Sequence, residues 1–140
     1  MNQLSFHNNN SFKQAPPQRN FSNANLPVLQ KTAKAYKLWH NILPQIPRLT
    51  RYSLGEKINN LFIELSELIL MAGFTSKQQK VVIVEKASIK LDVLKFFLQI
   101  AWELKALDNK KFSSLSAPLI EAGKMLGGWK KQLIKETPPV

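Results

Sequence analysis

Glu64 and Glu67 stand one helical turn apart, a spacing at which two carboxylates can hold a metal ion or share a proton. A carboxylate-bridged di-iron centre asks for more, namely a Glu-x-x-His pair from each of two facing helices. The sequence lacks that pattern. His7 and His40 lie in different segments, and neither has metal-ligand spacing to a carboxylate. His7 has no second ligand nearby, whereas His40 falls on an apolar row and reads as a hydrogen-bonded histidine at a core edge. There is no cysteine, which excludes thiolate metal sites and a disulfide framework. No strand pattern exists, and no glycine-rich phosphate loop follows one. We read Glu64 and Glu67 as a solvated pair at a bundle edge. The protein is expected to be non-enzymatic, with no metal and no cofactor.

The chemistry the sequence does support is the binding of polyanions. Net charge is +11 over 140 residues, and the first carboxylate is Glu56. Before it come Lys13, Arg19, Lys31, Lys34, Lys37, Arg48 and Arg51 with nothing to oppose them. A small soluble domain needs a net charge of only about 2–8 to stay in solution. A larger excess concentrated in one part of the chain attracts nucleic acid and steers its approach.

These cations must be carried on elements, and the sequence reads as helices throughout. The chain is organised around Val81–Leu107, where Val84, Ala87, Leu91, Leu94, Leu98 and Ala101 alternate by three and four. That is the seam of a helix buried in a bundle. A second row runs through Val82, Ile89, Val93, Phe96, Ile100 and Leu107, roughly 150° from the first at the helical period. One core covers one side of a helix, so the second row predicts an oligomer, with Val93, Phe96 and Ile100 at its interface.

Met1 to Asn25 is rich in Asn, Gln and Ser, carries Phe6, Phe12 and Phe21 in isolation, and is expected to be disordered alone. A first helix opens at Asn25 as N-cap with Pro27 in its first turn. Leu29, Ala33, Tyr36, His40 and Leu43 mark its inner side, with Lys31, Lys34 and Lys37 opposite. The helix ends near Pro44, and Pro44–Pro47 forms a stiff connection. Ser53-Leu54-Gly55-Glu56 reads as a capping box opening a second helix. That helix turns Leu54, Ile58, Leu61, Phe62, Leu65, Leu68 and Ile69 inward and stops at Gly73. Ser76 to Gln79 offers another capping box for the third helix, and Asp108-Asn109 breaks it. A fourth helix carries Phe112, Leu115, Leu119, Ala122, Leu126, Trp129 and Leu133 inward. Pro118 interrupts it, leaving either a kinked first turn or a separate piece with Ser116 as the true cap. Gly127-Gly128 within a helix costs on the order of 1 kcal/mol per glycine, so another backbone or a large ring is expected close by. Thr137-Pro138-Pro139 ends the fold. The fold class is all-α: an antiparallel up-down four-helix bundle over residues 26–136 between tails at 1–25 and 137–140.

Several stretches together resemble one family. They are Leu26-Pro27-Val28-Leu29-Gln30-Lys31-Thr32, Ile46-Pro47-Arg48, Ser53-Leu54-Gly55-Glu56-Lys57-Ile58, Leu91-Asp92-Val93-Leu94-Lys95-Phe96-Phe97-Leu98 and Gly123-Lys124-Met125-Leu126-Gly127-Gly128-Trp129. Over about Leu26 to Glu136 the chain is similar to the four-helix-bundle Avd proteins, the accessory variability determinants of diversity-generating retroelements. The resemblance implies a barrel-like homo-oligomer, a pentamer, with a positively charged surface. It implies binding of the retroelement's reverse transcriptase and of its template-repeat RNA, or DNA, in mutagenic copying (retrohoming) that diversifies a target gene. Arg48 fills the arginine of the family's Ile-Pro-Arg stretch, and Lys95 the basic position of its Leu-x-x-Leu-Arg/Lys-Phe stretch. The long Asn-rich N-terminal tail and Pro118 depart from the family's pattern.

Two functions remain open on the sequence. One is a nucleic-acid-binding accessory subunit of a reverse transcriptase. The other is a structural, RNA-associated bundle with no polymerase partner, like the sister group encoded in intervening sequences of 23S ribosomal RNA genes. The candidate contacts for nucleic acid or reverse transcriptase are Lys31, Lys34, Lys37, Arg48, Arg51, Lys90 and Lys95. Lys95 sits on the flank of the Leu91–Leu98 seam, where a long stem covers the core edge and its charge stays outside. With no secretory signal layout and no apolar run able to span a bilayer, a cytoplasmic location without membrane association is expected.

Overall fold

Apolar residues spaced by three and four wind into four long helices in the computed structural model, which describes residues 25–136. They are α1 (Asn25–Ile42), α2 (Glu56–Gly73), α3 (Lys77–Glu103) and α4 (Asn109–Glu136). The expected tails, with Phe6, His7, Phe12 and Phe21, fall outside the described residues apart from Asn25. Each helix packs on two neighbours: α1 on α2 and α4, and α3 on the same two. α1 and α3 therefore face each other across the diagonal. The chain goes up, down, up and down, as short connections require.

The α3 seam holds as expected, since Val84, Ala87, Leu91, Leu94, Leu98 and Ala101 are all buried. Opposite them in the core lie Ile58, Leu61, Phe62, Leu65 and Ile69 of α2 and Leu115, Leu119, Ala122, Leu126, Trp129 and Leu133 of α4. Burying such side chains contributes about 1.5–3 kcal/mol each, which outweighs the helical cost of a few poor formers.

On α1 the inward face differs from the expected one. The buried residues are Val28, Thr32, Ala35, Trp39 and Ile42, while Ala33 and His40 are exposed and Leu29, Tyr36 and Leu43 sit half-buried at the flank. The shift is one residue, or about 100°. Trp39 drives it: its ring is fully buried and stacks on Phe62 at 6.2 Å between centroids, a larger apolar contribution than His40 can make. Thr32 goes inside because its hydroxyl donates to the Val28 carbonyl oxygen at 2.9 Å.

The second helix also starts earlier than expected. After a 3₁₀ turn at Leu43–Gln45, a one-turn helix begins at Arg48–Thr50 and passes through a π-helical turn, Arg51–Gly55, directly into α2. Pro47 precedes the first helical residue and its carbonyl accepts from the Arg51 N–H at 2.8 Å. Ser53 is thus inside a helix, not at its cap, and its hydroxyl donates back to the Leu49 carbonyl at 3.0 Å. α2 ends at Gly73 as expected. Ser76 takes the extended backbone of an N-cap before α3 but makes no side-chain capping bond.

α3 stops at Glu103, four residues short of the expected end. Leu107 belongs to the following turn and is buried there. Asp108 does not end α3 but opens the next helix: its Oδ1 accepts from the Lys111 N–H at 2.8 Å. α4 runs unbroken through Pro118, which is itself buried, so neither a separate piece nor a cap at Ser116 forms. Gly127 and Gly128 are exposed, and a Cβ at either would meet nothing within 4 Å. The backbone or large ring expected there is therefore not found among the described residues, and a Cβ on Gly123, one turn earlier, would meet the Leu91 side chain at an ordinary 3.4 Å.

Candidate nucleic-acid interface

Lys31, Lys34 and Lys37 recur every three residues, and three steps of about 100° fall short of a full turn by about 60°. The three therefore fan around α1 instead of lining up. Lys31 is half-buried at the core edge, and Lys34 and Lys37 are exposed.

Arg48 and Arg51 sit at the α1–α2 junction and differ in what they do. Arg48 is exposed, beside Leu49 at 87% and Tyr52 at 60% exposure. Arg51 turns inward: Nε and Nη2 donate to the Ile46 carbonyl and Nη2 also to that of Pro44, at 2.9–3.2 Å. Its guanidinium is thereby fixed as a staple across the proline-rich connection, and its Cζ lies 6.0 Å from the Tyr52 ring centroid.

Lys90 and Lys95 leave opposite flanks of α3. Lys90 reaches α2, with Nζ 3.4 Å from Glu64 Oε1. Lys95 pairs with Asp92 at 3.5 Å and lies over α4, where a Cβ on Gly123 would come within 3.9 Å of Nζ. Both are surface ion pairs of small stabilising worth, easily exchanged for phosphate. Because α1 and α3 are diagonal, the seven cations named from the sequence do not form one patch.

Two groupings escaped the sequence reading. Lys57 and Lys86 join Lys90 around an apolar groove floored by Leu61, Leu68, Ile89 and Val93, between α2 and α3. Lys110 and Lys111 face the end of α1 across a groove lined by Leu38, Asn41, Ile42, Gln45, Asp108 and Ser114. Asp108, taken in the sequence only as a helix breaker, is the residue type of an N-cap, and that reading would have placed the two lysines in a first turn.

The expected interface row is only partly uncovered by the described residues, and Leu107 at its end is buried. Val82, Ile89 and Phe96 are 55%, 58% and 56% exposed, with Val93 and Ile100 half-buried between them. Phe96 packs edge-on to Phe97 at 5.3 Å. His40 is exposed, not a core-edge residue, with the Tyr36 ring 6.5 Å away. Glu64 and Glu67 are exposed, and among the described residues no three of His, Cys, Asp and Glu come together as metal ligands. No helix among the described residues is long and apolar enough to cross a membrane.

No curated protein matches the chain in a sequence comparison. A family model described as bAvd-like matches residues 26–133, from the first turn of α1 to the last core leucine of α4. All four helices lie within that match, apart from single terminal residues or the last few. On that match the chain belongs to the bAvd-like family.

Proposed function

We propose that this protein is the accessory subunit of a diversity-generating retroelement, binding a reverse transcriptase and its template-repeat RNA so that mutagenic cDNA synthesis proceeds. The observation that carries the reading is the bAvd-like match across the four helices. The exposed cations Lys34, Lys37 and Arg48 support it, as does a net charge of +11. The uncovered row of Val82, Ile89 and Phe96 supports assembly of several copies, a homopentamer in this reading, which repeats the basic surface around a ring.

The mechanism needs no chemistry from the subunit. A rigid oligomer that holds polymerase and template together raises their effective concentration and fixes their geometry. Lys95 and Lys90 supply charge on α3, and Lys31, Lys34, Lys37, Arg48 and Arg51 on and after α1. The test is reconstituted cDNA synthesis on the template-repeat RNA with and without this protein. More product in its presence is expected. Equal product would overturn the accessory role and leave a structural RNA-associated bundle.

A further inference from the structure

We infer that the α3–α4 turn is a base-stacking site for single-stranded nucleic acid, with Trp102 as the platform and Lys105 as the adjoining phosphate contact. The inference rests on the nucleic-acid-binding reading above and names where on the surface a base is held.

The turn is built at a conformational cost. The Ala106 N–H donates to the Ala101 carbonyl at 2.8 Å and the Lys105 N–H to that of Trp102 at 2.9 Å, a Schellman motif that closes α3. Lys105 occupies the left-handed position of this motif with φ of 62°, alone among the described non-glycine residues. Glycine is the usual occupant, since a Cβ there costs about 1–2 kcal/mol. A lysine placed where glycine would be more stable points to a use for the side chain.

Trp102 supplies the second observation. Its indole stacks on Phe112 at 5.3 Å and 19°, and its Nε1–H donates to Asn109 Oδ1 at 2.7 Å. One face and the N–H are thus fixed, yet the residue stays 39% exposed and lines an open cavity with Glu103, Lys105, Leu107, Asp108 and Asn109. Trp39 and Trp129, by contrast, are buried. A flat ring held rigid before binding loses little entropy when a base stacks on it.

Between Trp102 and Lys111 three lysines stand against two carboxylates, a balance that suits nucleic acid when its phosphates lie outside the cavity. Lys105 lines the cavity, and Lys110 and Lys111 lie on the neighbouring groove beside the end of α1; none of the three forms an ion pair among the described residues. The Asp108 carboxylate accepts from the Lys111 N–H at 2.8 Å and, still charged, lines the same cavity. Glu103 stands on the same wall, and the two carboxylates repel phosphate and can accept from the exocyclic amine of a base. Base toward the indole and backbone toward the lysines is the arrangement used by single-strand binders.

The experiment is fluorescence titration of the full chain with a short oligoadenylate, beside Trp102→Leu and Lys105→Gly. Quenching of the exposed tryptophan is expected in the wild type and not in Trp102→Leu, whose affinity should fall about five- to hundred-fold. Lys105→Gly should melt at a higher temperature and still bind more weakly, with a shallower salt dependence; it keeps the test decisive if Trp102→Leu fails to fold. Binding without quenching, at equal affinity in the variants, would overturn the site while leaving the basic-surface reading intact. Absence of any nucleic-acid binding would overturn both. Loss of reverse-transcriptase capture in Trp102→Leu, with oligoadenylate affinity unchanged, would reassign the turn to a protein partner and overturn the proposal.

Discussion

Arg51 directs two nitrogens at one acceptor, the Ile46 carbonyl oxygen, with Nε at 3.2 Å and Nη2 at 3.0 Å. Pro44 and Pro47 have no N–H to give, so carbonyls in this connection are short of donors, and the guanidinium makes up the deficit. Replacing Arg51 by Lys keeps the charge but loses the fork, and should lower stability by about 1–2 kcal/mol. Arg48→Gln should leave stability within about 0.5 kcal/mol and weaken RNA binding instead. Urea unfolding of both variants separates the two arginines.

Lys34 and Lys37 are exposed cations on α1. RNA binding should weaken with salt, with a log–log slope of about −0.7 to −0.9 per phosphate contacted. Changing both lysines to Gln should shallow that slope by one to two contacts and leave the melting temperature unchanged. Filter binding at several salt concentrations reads the slope.

Phe96 is 56% exposed on the single chain, so Phe96→Asp should cost the isolated bundle little. If copies meet along α3, the same change buries an unpaired charge and should drive the assembly apart. Analytical ultracentrifugation of native and variant protein tests this. A native protein that sediments at 16.0 kDa would remove the oligomer reading.

At Gly127 and Gly128 a Cβ meets open space on an exposed helical surface. Alanine at each should stabilise the bundle by about 0.5–1 kcal/mol. Thermal melts measure the gain. A stabler fold that assembles less well would show that the glycines serve an approach between copies.

Trp39 is fully buried, and its Nε1 has no hydrogen-bond partner among the described residues. Trp39→Phe removes an unpaired donor as well as volume, so its cost should stay below about 2 kcal/mol. Trp39→Ala should cost about 3–5 kcal/mol. Denaturant midpoints distinguish the two.

The core rows of α2, α3 and α4 were legible because each has a dense run of apolar residues at three-and-four spacing, as with Val84 to Ala101, even though α3 carries a second row as well. α1 was not, because its apolar residues lie on three faces: Val28, Trp39 and Ile42 toward the core, with Tyr36 and Leu38 on its flanks. Period alone ranks these faces equally, and ring size decided among them. Ser53 to Glu56 carries the letters of a cap, yet Pro47 had already begun the helix, and a started helix propagates more easily than a new one nucleates. The basic character of the surface was readable from composition. Its division was not, because whether Arg51 faces solvent or a backbone carbonyl depends on how the chain folds at Pro44–Pro47. Trp102 and Lys105 carry no periodic signal; only a positive φ and a ring stack single them out.

α1 and α4 are antiparallel neighbours, so the bundle begins at Asn25 and finishes at Glu136 on the same end. Lys77, which opens α3, lies 3.9 Å from Glu136 and marks that end. Arg48, Trp102 and Lys105 all occupy the other. A fluorescent or affinity tag joined ahead of Asn25 or beyond Glu136 therefore leaves the far end clear. The same closeness makes the fold a candidate for circular permutation: a short linker from Glu136 to Asn25, with new ends cut between Thr75 and Ser76, would preserve every helix pairing.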